Sequence, residues 1–258
     1  MTLNLRPKKV LGQHFLTDKN IANKIVDSLI NKDNLPIIEI GPGTGALTEF
    51  LIEKHSNLLL IEIDTEAANC LRQRFGDKCP GILNEDFLKL NFSENLNLPV
   101  SIIGNFPYNI SSQIFFKILE NRNQILEVVC MIQKEVAQRI SAPHGNKTYG
   151  ILSVLLQTWY DIEYLFTVNE NVFQPPPKVK SAVIRLRRNN KTELACNEKT
   201  FVRLVKAGFN QRRKTLRNAL RSGGFDVSKI DEQILNKRAE QLSIQEFEDL
   251  CKNLEEGL

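Results

Sequence analysis

The chain has 258 residues, 42% of them apolar and 25% charged, and carries a formal charge of +4. These are the values of a soluble globular protein with a full core, long enough for one large domain or one domain with a small appendage. Five scattered cysteines and three histidines offer no pair with zinc-site or thioredoxin-like spacing, so reduced thiols and no metal are expected.

The N-terminal residues, Met1-Thr-Leu-Asn-Leu-Arg-Pro-Lys-Lys9, lack the apolar segment of a secretory signal. The longest uncharged run, 95–116, is interrupted by Pro99, Gly104 and Pro107 and does not make a membrane span. A cytoplasmic protein without membrane contact is expected. In 20–30, Ile21, Ile25, Val26 and Leu29 recur at helical spacing, with Asp18 placed as a cap. The apolar run 36–40 leads into Gly41-Pro-Gly43-Thr-Gly45, and 47–52 reads as helix. A second run, 58–63, ends in Glu62 and Asp64, followed by a helix through Phe75. Further buried strands are expected at 81–83, 99–103 and 128–132, with helices at 111–119 and 134–140. This alternation predicts an α/β fold, a mostly parallel Rossmann-like sheet with helices on both faces.

The pattern changes after Gly150. A buried helix is expected at 151–159, and strands at 162–168 and 183–186 flank the turn Gln174-Pro-Pro-Pro-Lys178. From Thr200 onward only short helices are expected, at 201–208, 213–221, 231–236 and 244–252. The polar segment 189–197 marks the boundary, so the domains are read as 1–188, catalytic, and 189–258, a small helical C-terminal domain.

A strand followed by a glycine loop and a helix is a nucleotide-site geometry, because glycines let a ligand approach the backbone closely. Glu62, about twenty residues on, is placed to accept hydrogen bonds from ribose hydroxyls. Dinucleotide enzymes share this arrangement. Two details lean toward S-adenosylmethionine: the third glycine comes one residue after Gly43, not at pyrophosphate-loop spacing, and Glu39 just upstream suits a cationic ligand. Asp86, after the third strand, can accept from the cofactor's adenine amino group or simply cap a turn.

Asn105-Phe106-Pro107-Tyr108 follows the fourth strand. The exocyclic amines of nucleobases are poor nucleophiles because their lone pair is delocalised into the ring. Two hydrogen-bond acceptors facing the amine bias it toward a pyramidal shape and aim its lone pair. The Asn105 side-chain carbonyl and a backbone carbonyl at Phe106 or Pro107 can supply them. Pro107 fixes the chain, and Tyr108 offers a face for the base to stack on. The neutral Asn fits a reaction that needs positioning more than a strong base.

With these motifs, the chain resembles the small-subunit (16S) ribosomal RNA adenine N6-dimethyltransferase family over nearly its whole length. The resemblance rests on Leu11-Gly-Gln-His-Phe-Leu16, Glu39 to Gly45, Asn105 to Ser112, Phe173-Gln-Pro-Pro-Pro-Lys-Val179 with Ser181-Ala-Val183, and Phe209-Asn-Gln-Arg-Arg-Lys-Thr-Leu-Arg-Asn218. It implies a class I methyltransferase domain and dimethylation of two adjacent adenines in the 3′-terminal hairpin of small-subunit rRNA, late in 30S assembly. It also implies cofactor contacts at His14, Leu16, Gly41, Gly43, Glu62, Asp86 and Asn105. His14 stands where the family commonly has Asn. The resemblance further implies that Phe173 covers the other face of the target base.

Between 201 and 225 lie seven Lys and Arg residues and no acid, which leaves the rest of the chain at −3. Arg212, Arg213, Lys214, Arg217 and Arg221 are accordingly expected to hold rRNA backbone and set register while the pocket chooses the base. Rival readings are a large-subunit rRNA methyltransferase of the antibiotic-resistance type, an assembly factor with secondary catalysis and, more distantly, an NAD-dependent reductase. The proline turn and the Gln211-to-Arg217 segment favour the small-subunit enzyme, and nothing in the sequence demands more than a monomer.

Overall fold

The computed structural model describes residues 5–31, 34–92 and 99–255. Residues 1–4, from the N-terminal segment read above, and 95–98, from the uncharged run, lie outside that range. The described chain divides into two compact units, 1–137 with 162–188 and 138–161 with 189–258.

Two short strands, β1 (Phe15–Leu16) and β8 (Phe173–Gln174), pair antiparallel in the first unit. The main strands are β2 (Ile37–Ile40), β3 (Leu58–Ile61), β4 (Gly81–Leu83), β5 (Val100–Asn105), β6 (Ile125–Gln133), β7 (Tyr160–Val168) and β9 (Ser181–Arg188). They form a seven-stranded sheet in the order β4-β3-β2-β5-β6-β9-β7. Strands β2 to β6 run parallel, and β9 returns antiparallel to β6. Both faces of the central strands are covered, so β2 is buried at all four positions and β5 at five of six. That double burial is why these strands read as unbroken apolar runs and not as alternating ones.

Helix α1 (Lys19–Val26) begins where expected. The Asp18 carboxylate accepts from the N–H groups of Asn20 and Ile21 at 2.9 and 3.0 Å, satisfying donors that a helix start leaves open. Its Ala22, Ile25 and Val26 face the core, but the helix stops four residues before the expected 30. Helices α2 (Thr48–Lys54) and α3 (Thr65–Phe75) follow β2 and β3.

The chain expected at 189–258 as one domain is joined in the second unit by 138–161. Helix Ile151–Trp159 carries seven buried residues and packs on helices Glu198–Asn210 and Ile244–Glu255. Tyr149, Phe209 and Phe247 form an aromatic run with ring centroids 6.0 Å apart at each step. A helix with six apolar residues of nine fits either core, and its partners, not its pattern, decide where it belongs. Among the described residues, no helix is long and apolar enough to cross a membrane, and no group of three or more His, Cys, Asp or Glu is arranged to hold a metal.

Candidate active site

Chain order runs outward from β2 to β3 and β4 on one side, and to β5 and β6 on the other. The point where the order reverses opens a crevice at the carboxyl ends of β2 and β5, where ligands bind in open parallel sheets. The glycine loop leaves the end of β2, and Asn105 ends β5, so topology alone brings them to one cleft.

Gly41 has φ +64°, and a Cβ there would meet nothing within 4 Å. Glycine is thus required by the backbone conformation, and the space beside it stays open to a ligand. The Gly41 N–H donates to the Ile61 carbonyl at 2.9 Å, and the Gly43 N–H donates to Glu62 Oε2 at 2.9 Å. Glu62 Oε1 accepts the Asp64 N–H at 2.9 Å. The Ile63 N–H also faces this carboxylate, and of its four lone-pair sites at least one is left for a hydroxyl donor. Burial pushes the Glu62 pKa up, partly offset by these backbone donors. Glu39 is only 1% exposed and accepts from the Thr48 hydroxyl at 2.6 Å. Burial pushes its carboxyl up to about 8, against the pull of Thr48 and with help from the charge of Glu62. A buried acid so close to its titration point is readily ionised by a neighbouring cation.

Asp86 caps a turn, one of the two roles open to it from sequence, and stands at the cleft. Its Oδ1 caps the short turn that follows by accepting the Leu88 N–H at 3.0 Å, and the residue lines the cleft. Asn105 Nδ2 donates to the His14 carbonyl at 2.9 Å. A carbonyl can only accept, so this bond sets the amide with its nitrogen toward His14 and its Oδ1 turned away.

His14, Leu16, Gly41 and Gly43 line one side of this cleft; Glu62, Asp86, Asn105 and Pro107 also border it. The side chains of Phe106, Tyr108 and Phe173 lie outside that lining. Phe106 is buried edge-on against Phe115, with its N–H donated to Met131 at 3.0 Å. Tyr108 is half-buried, its hydroxyl 2.5 Å from Ser181 Oγ and its ring stacked on His14. Burial pushes the Tyr108 phenol up. Phe173 pairs with Leu16 across β1 and β8 and is 4% exposed within the core. In this conformation its ring is packing, in contrast to the base-covering position expected for it.

The expected RNA-contacting cations all lie in the second unit and differ in what they touch. Arg212 donates to the Lys147 and Tyr149 carbonyls at 2.6 and 2.9 Å, and Arg217 pairs with Glu232. Arg213, Lys214 and Arg221 are exposed. Arg212 is tied down but not neutralised, because a carbonyl carries no net charge.

Several cleft residues are missed by sequence reasoning. Val10, 89% exposed, lines it together with Gln13, Asn109 and Ile63. The strap that carries Val10 and Gln13 is held by Lys8, whose Nζ lies 2.6 Å from Asp64 Oδ1 and 3.2 Å from Glu66. No periodicity marks a segment whose partners lie more than fifty residues away.

The fold and this cleft are those of a class I S-adenosylmethionine-dependent methyltransferase. The family model for ribosomal RNA adenine dimethylase matches residues 4–256. A ribosomal RNA small subunit methyltransferase A from Parabacteroides distasonis is 54% identical over 247 residues, 95% of this chain and 93% of that one. The chain belongs to the ribosomal RNA adenine dimethylase family. Among solved structures, a dimethyladenosine transferase from Plasmodium falciparum matches with a TM-score of 0.77 at 24% identity, covering 93% of this chain and 96% of its own. The 23S rRNA methyltransferase ErmE matches at 0.71 and 23%, covering 93% and 99%. These two likenesses establish the fold.

Proposed function

We propose that this enzyme methylates N6 of two adjacent adenines in the 3′-terminal hairpin of small-subunit (16S) rRNA, giving dimethyladenosines within a 30S precursor particle. It does so as a cytoplasmic monomer. The observation that carries the chemistry is the Asn105 amide, fixed by the His14 carbonyl so that Oδ1 serves as an acceptor. The small-subunit assignment rests on the name and near-full-length identity of the Parabacteroides relative, since the fold alone also suits a large-subunit enzyme.

When bound, S-adenosylmethionine supplies an electrophilic methyl group on a sulfonium. Gly41 gives it open backbone, Glu62 accepts from its ribose hydroxyls, Asp86 accepts from its adenine amine, and Glu39 offers a carboxylate to its positive charge. The His14 main chain and Leu16 close the cleft from the strap. On the substrate side, Asn105 Oδ1 accepts one amino hydrogen of the target adenine. The Phe106 or Pro107 carbonyl is the second acceptor; the latter already takes the Ile110 N–H at 3.2 Å and keeps a second lone pair. Pro107 fixes the chain next to Asn105 and Phe106, and Tyr108 provides the stacking face. Phe173 can add a second face only once its edge is uncovered. The amine that gains the methyl group would release its surplus proton to water, because the Asn105 amide accepts a hydrogen bond without holding a proton. Asn105 thus contributes orientation, worth several powers of ten when the reacting atoms are held at attack distance.

Exposed Arg213, Lys214 and Arg221, with Arg212 and Arg217 beside them in sequence, hold rRNA backbone and set register. The test is mass spectrometry of small-subunit particles incubated with enzyme and labelled cofactor. Dimethyladenine in the 3′-terminal hairpin is expected; label in large-subunit rRNA overturns the substrate. Particle binding without methyl transfer would instead leave an assembly factor.

A further inference from the structure

His14 reaches three parts of the candidate site at once. Its main-chain carbonyl accepts from Asn105 Nδ2 at 2.9 Å. Its imidazole stacks on the Tyr108 ring, with centroids 5.5 Å apart and planes 28° from parallel. Its Nδ1 lies 2.8 Å from the Pro175 carbonyl oxygen. Because that oxygen can only accept, Nδ1 carries a proton and donates it, which fixes the plane of the ring.

The first contact is independent of the side chain. Any residue at this position presents the same carbonyl to Asn105. What the imidazole itself adds lies on the other side, between Tyr108 and the proline turn. Tyr108 is also held at its far end, where its hydroxyl meets the buried Ser181 at 2.5 Å. The ring is therefore pinned at its tip by Ser181 and backed on one face by His14, while the turn at Pro175 keeps the backing ring in place.

From this geometry we infer that the His14 side chain belongs to the target-base subsite and not to the cofactor site. It is a positioning residue that backs Tyr108, so that an extruded adenine stacks on the opposite face and completes a three-ring column. The inference rests on the adenine-N6 reading above. A ring already fixed in place loses little freedom when a base lands on it, so pre-set stacking strengthens base capture. An aromatic pair of this kind changes an equilibrium by roughly two- to tenfold.

The test uses the full-length enzyme and small-subunit rRNA carrying 2-aminopurine at the first target position. Fluorescence of this base rises on leaving the helix and is quenched on stacking. With His14→Ala, S-adenosylmethionine affinity measured by calorimetry should stay within about twofold of wild type, because the carbonyl to Asn105 remains. The KM for the particle should rise about two- to tenfold, and the quenched fraction of 2-aminopurine should fall. His14→Phe, which restores the stack without the bond to Pro175, should recover most of the quenching. The inference is overturned if His14→Ala weakens cofactor binding as much as Asn105→Ala does, or if His14→Phe behaves like His14→Ala. Failure of the underlying reading looks different: wild-type enzyme would then make no dimethyladenine, and Tyr108→Ala would leave the fluorescence unchanged.

Discussion

Asn105 and His14, 91 residues apart, are joined by a single hydrogen bond from side-chain amide to main-chain carbonyl. Through it, the residue proposed to orient the substrate also holds the strap that lines the cofactor cleft. Asn105→Ala is expected to lower methyl transfer at least ~100-fold, the scale of losing one oriented polar group in an active site. Cofactor affinity should fall with it, while the urea midpoint stays close to wild type. Asn105→Asp keeps the shape but cannot donate to His14, so it should show the same paired loss. Single-turnover rates and calorimetry on both variants check this; full activity in either refutes the role of Asn105.

Two glycines on neighbouring strand ends should behave in opposite ways. A Cβ on Gly104 would stand 2.6 Å from the Ile40 carbonyl oxygen, a backbone atom that cannot give way without moving β2. Gly104→Ala should cost about 3 kcal/mol in denaturant unfolding, the upper end for an overpacked core. Gly41→Ala meets no atom, and its cost is the left-handed backbone, about 1–2 kcal/mol. Its larger effect should be on cofactor affinity, because the methyl group enters the open space beside the cleft.

The Glu39 carboxyl gives the protein a pH dependence of a definite sign. Its pKa is raised from an ordinary 4.5 to about 8 by burial. Between those values the folded protein keeps a proton that the unfolded chain has released. This contribution to stability is therefore complete below 4.5 and is lost as pH rises through 8. Urea midpoints of wild type should fall from pH 5 to pH 8 more steeply than those of Glu39→Gln, which can still accept from Thr48. Saturating S-adenosylmethionine should flatten the wild-type curve by favouring the ionised acid. Parallel curves for the two proteins would show that Glu39 does not titrate in this window.

The basic stretch separates into groups that a salt titration can tell apart. Arg213→Ala with Lys214→Ala should lower the magnitude of the salt slope of rRNA binding by about 1.4, at roughly 0.7 for each phosphate left unneutralised on single-stranded RNA. Folding stability should hardly change, since both side chains are exposed. Arg212→Ala should instead cost about 0.5–1.5 kcal/mol of stability, the net value of an ordinary hydrogen bond, because the Lys147 and Tyr149 carbonyls lose their donor. An unchanged slope in the double variant would remove these two cations from the RNA interface.

The parts of the site that were legible in the sequence are those where chemistry and local backbone coincide. Glu39 to Gly45 declares itself because strand, glycine turn and acid are contiguous, and Asn105 to Tyr108 because a strand end carries an unusual tetrad. Asp18 was readable as a cap from its neighbours alone. The strap was legible only as a motif, because its role arises from Lys8 meeting Asp64 and His14 meeting Asn105, pairs that lie 56 and 91 residues apart. Helix Ile151–Trp159 was readable as buried, yet its apolar surface does not say which core it enters. Phe173 was placed beside the base by resemblance, and its pairing with Leu16 instead turns its ring into the core.

That pairing of Phe15–Leu16 with Phe173–Gln174 also sets a schedule for the chain as it is made. The strap precedes the glycine loop in the chain, yet the strand that holds it is translated almost 160 residues after it. At about 5–20 residues per second, the strap would wait some ~8–30 s for the strand that pairs with it. A nascent chain can build the central sheet long before it can retain a nucleoside. The cleft is therefore completed only when the last strands of the first unit have been made.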